Sequence, residues 1–114
     1  PVIANGGIFS AEDAERLINE TGADGVAVAR GAMYRPWLFA EITGSAFGDL
    51  KKVVLKQLED TQKIYGERFA CVFMRKMIGF YLKGTHDAAA MRERLFKAAT
   101  LKEVKEILQT VCFL

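Results

Sequence analysis

The sequence has few residues that could bind a metal ion or form disulfides. It contains two cysteines, Cys71 and Cys112, and a single histidine, His86. None of the three has a cysteine or histidine neighbour at metal-ligand spacing. We therefore expect no metal site and two free, buried thiols, as in a cytoplasmic protein.

Long apolar runs are also absent. No run approaches the roughly 20 residues of a membrane-spanning helix, so we expect no transmembrane segment and no membrane partner. The chain opens on the strand-like run 1–4, without an initiator methionine or the charged start of a signal peptide. We expect a fragment of a longer protein, with residues missing before Pro1.

Charge is distributed unevenly along the chain. Residues 1–48 carry three Lys/Arg and six Asp/Glu (net −3), whereas residues 49–114 carry thirteen Lys/Arg and eight Asp/Glu (net +5). These values sum to the formal net charge of +2. The asymmetry predicts two domains, 1–46 and 47–114, of which the second faces an anionic partner.

The first domain has an alternating pattern of strand and helix. Residues 2–4 and 25–29 have the composition of strands, the second typical of a strand buried on both faces of a parallel sheet. Between them, residues 11–21 have the apolar spacing of a helix that Gly22 ends. This order predicts a right-handed βαβ unit, and two strands are too few to form a complete sheet.

The second domain has only helical patterns. After the Gly/Ser-containing link 43–48, apolar spacing and capping residues predict a bundle of about four helices. Their expected ranges are 49–65, 67–83, 87–98 and 100–112. The predicted fold class is therefore α/β plus all-α.

Glycine-rich turns follow both predicted strands. Asn5-Gly6-Gly7 follows the first strand, and Ala29-Arg30-Gly31 follows the second. Such turns bring backbone N–H groups close to a ligand, and the guanidinium of Arg30 matches phosphate geometry. The pattern predicts a phosphate site but does not choose between FMN and a sugar phosphate. The alternative is that the glycines serve only as turns and that Arg30 is a surface charge.

The predicted helix 67–83 has a basic face. Its cations fall within roughly one 100° arc of the helical wheel and could contact RNA phosphates. These residues are Arg68, Arg75, Lys76 and Lys83. Aromatic and apolar residues on the opposite side are expected to form a core face: Phe69, Phe73, Met77, Ile78, Phe80 and Tyr81. The alternative is that the cations are only the solvated face of an amphipathic helix.

Several segments closely resemble the tRNA-dihydrouridine synthase family. In the first domain they are Pro1-Val2-Ile3-Ala4-Asn5-Gly6-Gly7-Ile8, Gly25-Val26-Ala27-Val28-Ala29-Arg30-Gly31-Ala32 and Arg35-Pro36-Trp37-Leu38-Phe39. In the second they are Met74-Arg75-Lys76 and Tyr81-Leu82-Lys83-Gly84. The resemblance covers nearly the whole chain. It implies the last two βα units of an FMN-binding (β/α)8 TIM barrel, followed by a helical tRNA-binding domain.

The resemblance also implies an activity and its cofactors. The family reduces uridine in tRNA to 5,6-dihydrouridine with FMN and takes electrons from NADPH. Residues at the matching positions would hold the FMN phosphate: Asn5, Gly6, Gly7, Ala29 and Arg30. The sequence departs from the family pattern at Gly7, Ala29 and Tyr34, where Asp, Gly and a small residue are common.

The resemblance places the family's catalytic cysteine outside this chain, because neither cysteine here matches its motif. We therefore expect no activity from the chain alone. Two other interpretations remain open: a stand-alone RNA-binding module, or another FMN- or phosphate-binding TIM-barrel oxidoreductase with an oligomerising helical tail. Exposed strand edges could also let the fragment self-associate.

Overall fold

The computed structural model describes residues 1–113, so Leu114, the last residue of the second predicted domain, lies outside the described residues. Contacts divide the chain into two compact units, Pro1–Phe47 and Gly48 onward. No helix among residues 1–113 is long and apolar enough to cross a membrane.

The first unit is built around two parallel strands. These are β1 (Ile3–Asn5) and β2 (Gly25–Ala27), paired in the register Ile3↔Gly25 to Asn5↔Ala27. Helix α1 (Ala11–Thr21) connects them and packs against both. Two short helices follow, α2 (Arg30–Tyr34) and α3 (Leu38–Thr43). The βαβ order therefore places the residues after both strands at one edge of the sheet.

The second strand is shorter than predicted. It ends at Ala27 because Ala29 leaves the β region (φ −113°, ψ −92°) to become the residue before α2. Val26 is only half-buried and Ala27 is exposed, as expected because two strands cannot bury both of their faces. Each strand has one strand neighbour among the described residues, so Ile3 in β1 also stays 60% exposed.

The second unit consists of four helices. They are α4 (Leu50–Tyr65), α5 (Glu67–Tyr81), α6 (Ala88–Lys97) and α7 (Leu101–Thr110). N-cap side chains fix where α4 and α7 begin. Asp49 Oδ1 accepts a hydrogen bond from the N–H of Lys51 at 2.9 Å, and Thr100 Oγ1 accepts one from the N–H of Glu103 at 3.3 Å. Helix α5 packs against the other three and supplies the centre of the core.

The buried stripe of α5 differs from the predicted core face. Ala70, Met74 and Ile78 are fully buried, whereas Phe69 and Phe73 are 47% and 37% exposed. The predicted core position of these two aromatic residues is therefore wrong. Their rings instead stack along the helix surface, with centroids 5.7 Å apart. The stripe that faces α4, α6 and α7 lies to one side of them, so packing between helices decided which side was buried.

The two cysteines occupy different environments. Cys71 is buried, its Sγ donates to the carbonyl of Ala98 at 3.7 Å, and burial raises the pKa of its thiol. Cys112 is exposed, which corrects the prediction that both thiols are buried. Among residues 1–113, no group of three His, Cys, Asp or Glu side chains could hold a metal ion.

Candidate functional site

A cavity of about 260 Å³ lies where β1 and β2 end. It is lined by Asn5, Gly6, Gly7, Ile8, Phe9, Ala27, Val28, Ala29, Arg30 and Gly31. The structure thus brings together all five residues predicted to bind phosphate. We call this cavity the strand-end cradle. Its volume is below the range of about 300–1,000 Å³ typical of whole-ligand pockets, so it suits one end of a ligand such as a phosphate group.

Two glycines give the cradle an open wall. Gly6 and Gly7 have φ values of 114° and 68°, in the left-handed region that other residues rarely adopt. A Cβ atom on either residue would meet no atom of the chain within 4 Å. The glycines are therefore required by the turn and not by crowding, and they leave bare backbone facing open space.

Gly31 has a different role from Gly6 and Gly7. A Cβ atom at this position would lie 2.2 Å from the carbonyl oxygen of Ile8 and 2.9 Å from Cδ2 of Leu38. Glycine therefore allows α2 to pack directly against the segment that follows β1. This close approach brings together two residues of the cradle lining, Ile8 and Gly31.

Arg35 and Asp13 hold the segment after β1 from two sides. Arg35 Nη1 donates to the Phe9 carbonyl at 2.7 Å, while its Nη2 pairs with both carboxylate oxygens of Glu41 at 2.8 and 3.0 Å. Asp13 Oδ2 accepts from the Phe9 N–H at 3.0 Å, and this bond holds the pKa of Asp13 below its usual value. Sequence reasoning recognised Arg35 only as part of a family segment, because the Phe9 carbonyl that it binds lies 26 residues away in sequence.

Arg30 is the only charged side chain among the described residues that line the cradle. It is exposed and is the first residue of α2, which has five residues. Tyr34, one of the three departures from the family pattern, is the last residue of that helix and does not belong to the cradle lining. An anion in the cradle would therefore meet one guanidinium and a wall of backbone.

The predicted basic face of α5 is present in the second unit. Arg68 and Lys76 are exposed on the helix, and Lys83 is exposed in the turn just beyond its end at Tyr81. Arg75 differs from them because it is half-buried. Its Nη1 donates to the carbonyls of Phe96 (2.9 Å) and Ala98 (2.8 Å), so it caps the carboxyl end of α6.

Sequence reasoning missed a further cation, Arg92 on α6. Its Nε donates to the carbonyl of Gly79 at 3.0 Å, which places it beside the basic face of α5. A groove of about 430 Å³ lies between the two helices. We call it the α5–α6 groove, and its lining is Val72, Arg75, Lys76, Gly79, Phe80, Arg92 and Phe96. Considering each helix separately could not have revealed it.

The chain thus combines an α/β unit that carries a phosphate-sized cradle with a basic four-helix unit. The family model described as "Dihydrouridine synthase (Dus)" matches residues 1–114. The chain therefore belongs to the dihydrouridine synthase family, which confirms the family resemblance.

Curated relatives agree with this assignment. A "Probable tRNA-dihydrouridine synthase" of Mycobacterium tuberculosis (strain CDC 1551 / Oshkosh) is 34% identical over 91% of this chain and 29% of its own length. A "tRNA-dihydrouridine synthase B" of Vibrio vulnificus is 37% identical over 86% of this chain and 33% of its own length. A "tRNA-dihydrouridine synthase B" of Shewanella oneidensis is 39% identical over 72% of this chain and 29% of its own length. The chain thus spans only about a third of the length of these relatives.

Proposed function

We propose that this chain supplies two parts of a flavin-dependent tRNA-dihydrouridine synthase, the FMN phosphate cradle and a tRNA-binding surface. The observation that carries the proposal is the presence of both features, one on each unit, in a chain that matches the family along its whole length. The carboxyl edge of the sheet is where a TIM barrel binds phosphate, so β1 and β2 fit its seventh and eighth strands. The catalytic cysteine belongs to the part of the protein outside this chain.

The residues of the strand-end cradle fit the phosphate end of FMN. The open wall at Gly6 and Gly7 lets backbone groups approach an anion without a side chain between them. Arg30 adds a charge-assisted donor on the opposite wall, beside Ala29. Bound FMN would supply hydride transfer to uridine after reduction by NADPH. The contribution of these residues is to hold and orient one end of the cofactor.

The phosphate assignment can be tested with two ligands that differ only in the phosphate. We expect FMN to bind the chain about tenfold or more tighter than riboflavin, because hydrogen bonds to a charged group are worth about 1.5–3 kcal/mol. Chemical shifts of the Gly6 and Gly7 amides in ¹⁵N NMR titrations would report even weak binding at this site.

Two variants with the same loss of charge make this test specific. Arg30→Gln should remove most of the preference for FMN, whereas Arg94→Gln, on α6 outside the cradle lining, should preserve it. Equal binding of FMN and riboflavin to the unmodified chain would contradict the phosphate assignment.

The basic face of α5 supports the tRNA part of the proposal. Arg68, Lys76 and Lys83 are exposed, and residues 49–114 carry a net charge of +5. Arg68 and Lys76 take part in none of the described ion pairs. Cations spaced along a helix suit contacts with the RNA backbone, which position an RNA without reading its sequence.

We expect the chain to bind tRNA with a steep dependence on salt. If four phosphates are neutralised, a plot of log Kobs against log salt should have a slope of about −3. Fluorescence anisotropy of labelled tRNA between 50 and 300 mM salt would measure this slope. The protein concentration should be one at which sedimentation shows a monomer, because exposed strand edges can pair two copies of the chain. Absence of binding, or a slope near zero, would leave the basic face as a solvated surface only.

A further inference from the structure

The α5–α6 groove combines exposed aromatic surface with positive charge. Phe96 is 79% exposed, the most exposed large apolar side chain among the described residues. Three cations share the groove lining with it, and no acidic residue does. Glu93, the acid nearest to Phe96 along α6, is paired with Lys97 at 2.7 Å.

We propose that this groove binds one unpaired nucleotide of the RNA, with the base stacked on Phe96 and the phosphate held by the surrounding cations. The proposal deepens the tRNA-binding role and rests on it. An unpaired nucleotide offers an apolar ring face and an anionic group at once, which is the complement of this lining. A duplex keeps its bases stacked inside and would present phosphates alone.

The cations of the groove are held in place before any ligand arrives. Arg75 is fixed by two carbonyl oxygens at the end of α6, and its guanidinium carbon lies 5.9 Å from the centroid of the Phe96 ring. Arg92 is fixed by the carbonyl of Gly79. Side chains already ordered in the free protein lose less entropy on binding, which favours a specific site.

Gly79 keeps the floor of the groove open. It lies inside α5, where glycine is less favourable than alanine. A Cβ atom there would meet only Cγ of Arg92 at 3.9 Å, an ordinary contact, so packing within the chain does not require glycine. The space it leaves belongs to the groove, between Arg92 and Phe80.

The test uses a hairpin RNA with an unpaired loop and a duplex RNA of the same length. Phe96→Ala should weaken binding of the hairpin roughly tenfold, as expected for one lost base stack, without changing the salt slope. Binding of the duplex should stay unchanged. Because Phe96 is exposed, the variant should fold normally, and Phe96→Trp should keep the affinity of the unmodified chain.

Two additional measurements locate the effect. The fluorescence of a 2-aminopurine base in the loop should be quenched when the hairpin binds the unmodified chain, but not when it binds Phe96→Ala. Phe69→Ala is the control, because Phe69 is also exposed but lies outside the groove, and this variant should still quench the fluorescence. Gly79→Ala should weaken hairpin binding severalfold without lowering the thermal midpoint, because its methyl group narrows the groove while favouring the helix.

The outcomes separate this proposal from the tRNA-binding role. If the unmodified chain binds tRNA with a steep salt slope but Phe96→Ala binds the hairpin equally well, the groove proposal is overturned and the tRNA-binding role remains. If Phe96→Ala dissociates a dimer and leaves RNA binding intact, the groove is an interface between proteins. Absence of RNA binding by the unmodified chain overturns both.

Discussion

Replacing Arg68, Lys76 and Lys83 by glutamine should lower the affinity for tRNA by about 100-fold at 0.1 M salt. Each phosphate contact contributes about 0.7 to the salt slope, so three lost contacts remove about two logarithmic units at that concentration and flatten the slope by about two. Arg75 is left unchanged because it caps α6 through the carbonyls of Phe96 and Ala98. An alanine at position 75 would combine lost charge with lost stability.

A second triple variant controls for net charge. Lys52, Lys63 and Lys102 are exposed on α4 and α7 and take part in none of the described ion pairs. Their replacement by glutamine removes the same total charge from the same unit, so it tests whether position matters. We expect at most a small loss of affinity. Equal losses in the two triple variants would mean that tRNA responds to overall charge and not to the basic face of α5.

Gly31→Ala should destabilise the first unit by about 1–3 kcal/mol, the usual cost of forcing an extra methyl group into a packed position. The added Cβ would lie 2.2 Å from the Ile8 carbonyl oxygen, and a backbone atom cannot move aside as a flexible side chain can. Trp37 is the only tryptophan of the chain and belongs to this unit, so its fluorescence during urea unfolding reports the loss selectively.

Gly48→Ala, at the first residue of the second unit, controls for the Gly-to-Ala change at a position with room for the added methyl group. A Cβ at Gly48 meets nothing within 4 Å, and the residue lies outside the left-handed region of backbone conformation. Its urea midpoint should be unchanged or slightly higher, because alanine reduces the entropy of the unfolded chain. We also expect Gly31→Ala to lose the preference for FMN over riboflavin. An unchanged midpoint in Gly31→Ala would show that α2 can shift without affecting the fold.

Local features of the sequence predicted most of the elements correctly. The N-caps Ser10, Asp49 and Thr100 each accept a backbone hydrogen bond at the start of a helix, and Gly22 ends α1 in the left-handed conformation. These signals act within three or four residues, so they can be recognised without the tertiary structure. The order strand, helix, strand also predicted that the two glycine turns lie together, because parallel strands end at the same edge of a sheet.

The wrong predictions concern burial, which depends on how the helices pack. Phe69 and Phe73 stay exposed because α4, α6 and α7 cover another side of α5, and a helical wheel does not contain the positions of those neighbours. The RNA contact of Arg75 stays a prediction, and only the structure shows that its guanidinium also caps a helix 21 to 23 residues away in sequence. Cys112 resembled a core residue by composition but follows the last helix and is exposed.

The sequence by itself determined the family, the order of helices and strands, the glycine cradle and the basic character of the second unit. These depend on motifs, caps and charge, which are properties of neighbouring residues. The tertiary structure alone decided that Arg35 anchors the cradle through Phe9, that Gly31 lets α2 approach Ile8, and that Arg92 and Phe96 form a groove with α5. Each of these depends on contacts between segments far apart in the chain, which form only when the helices pack.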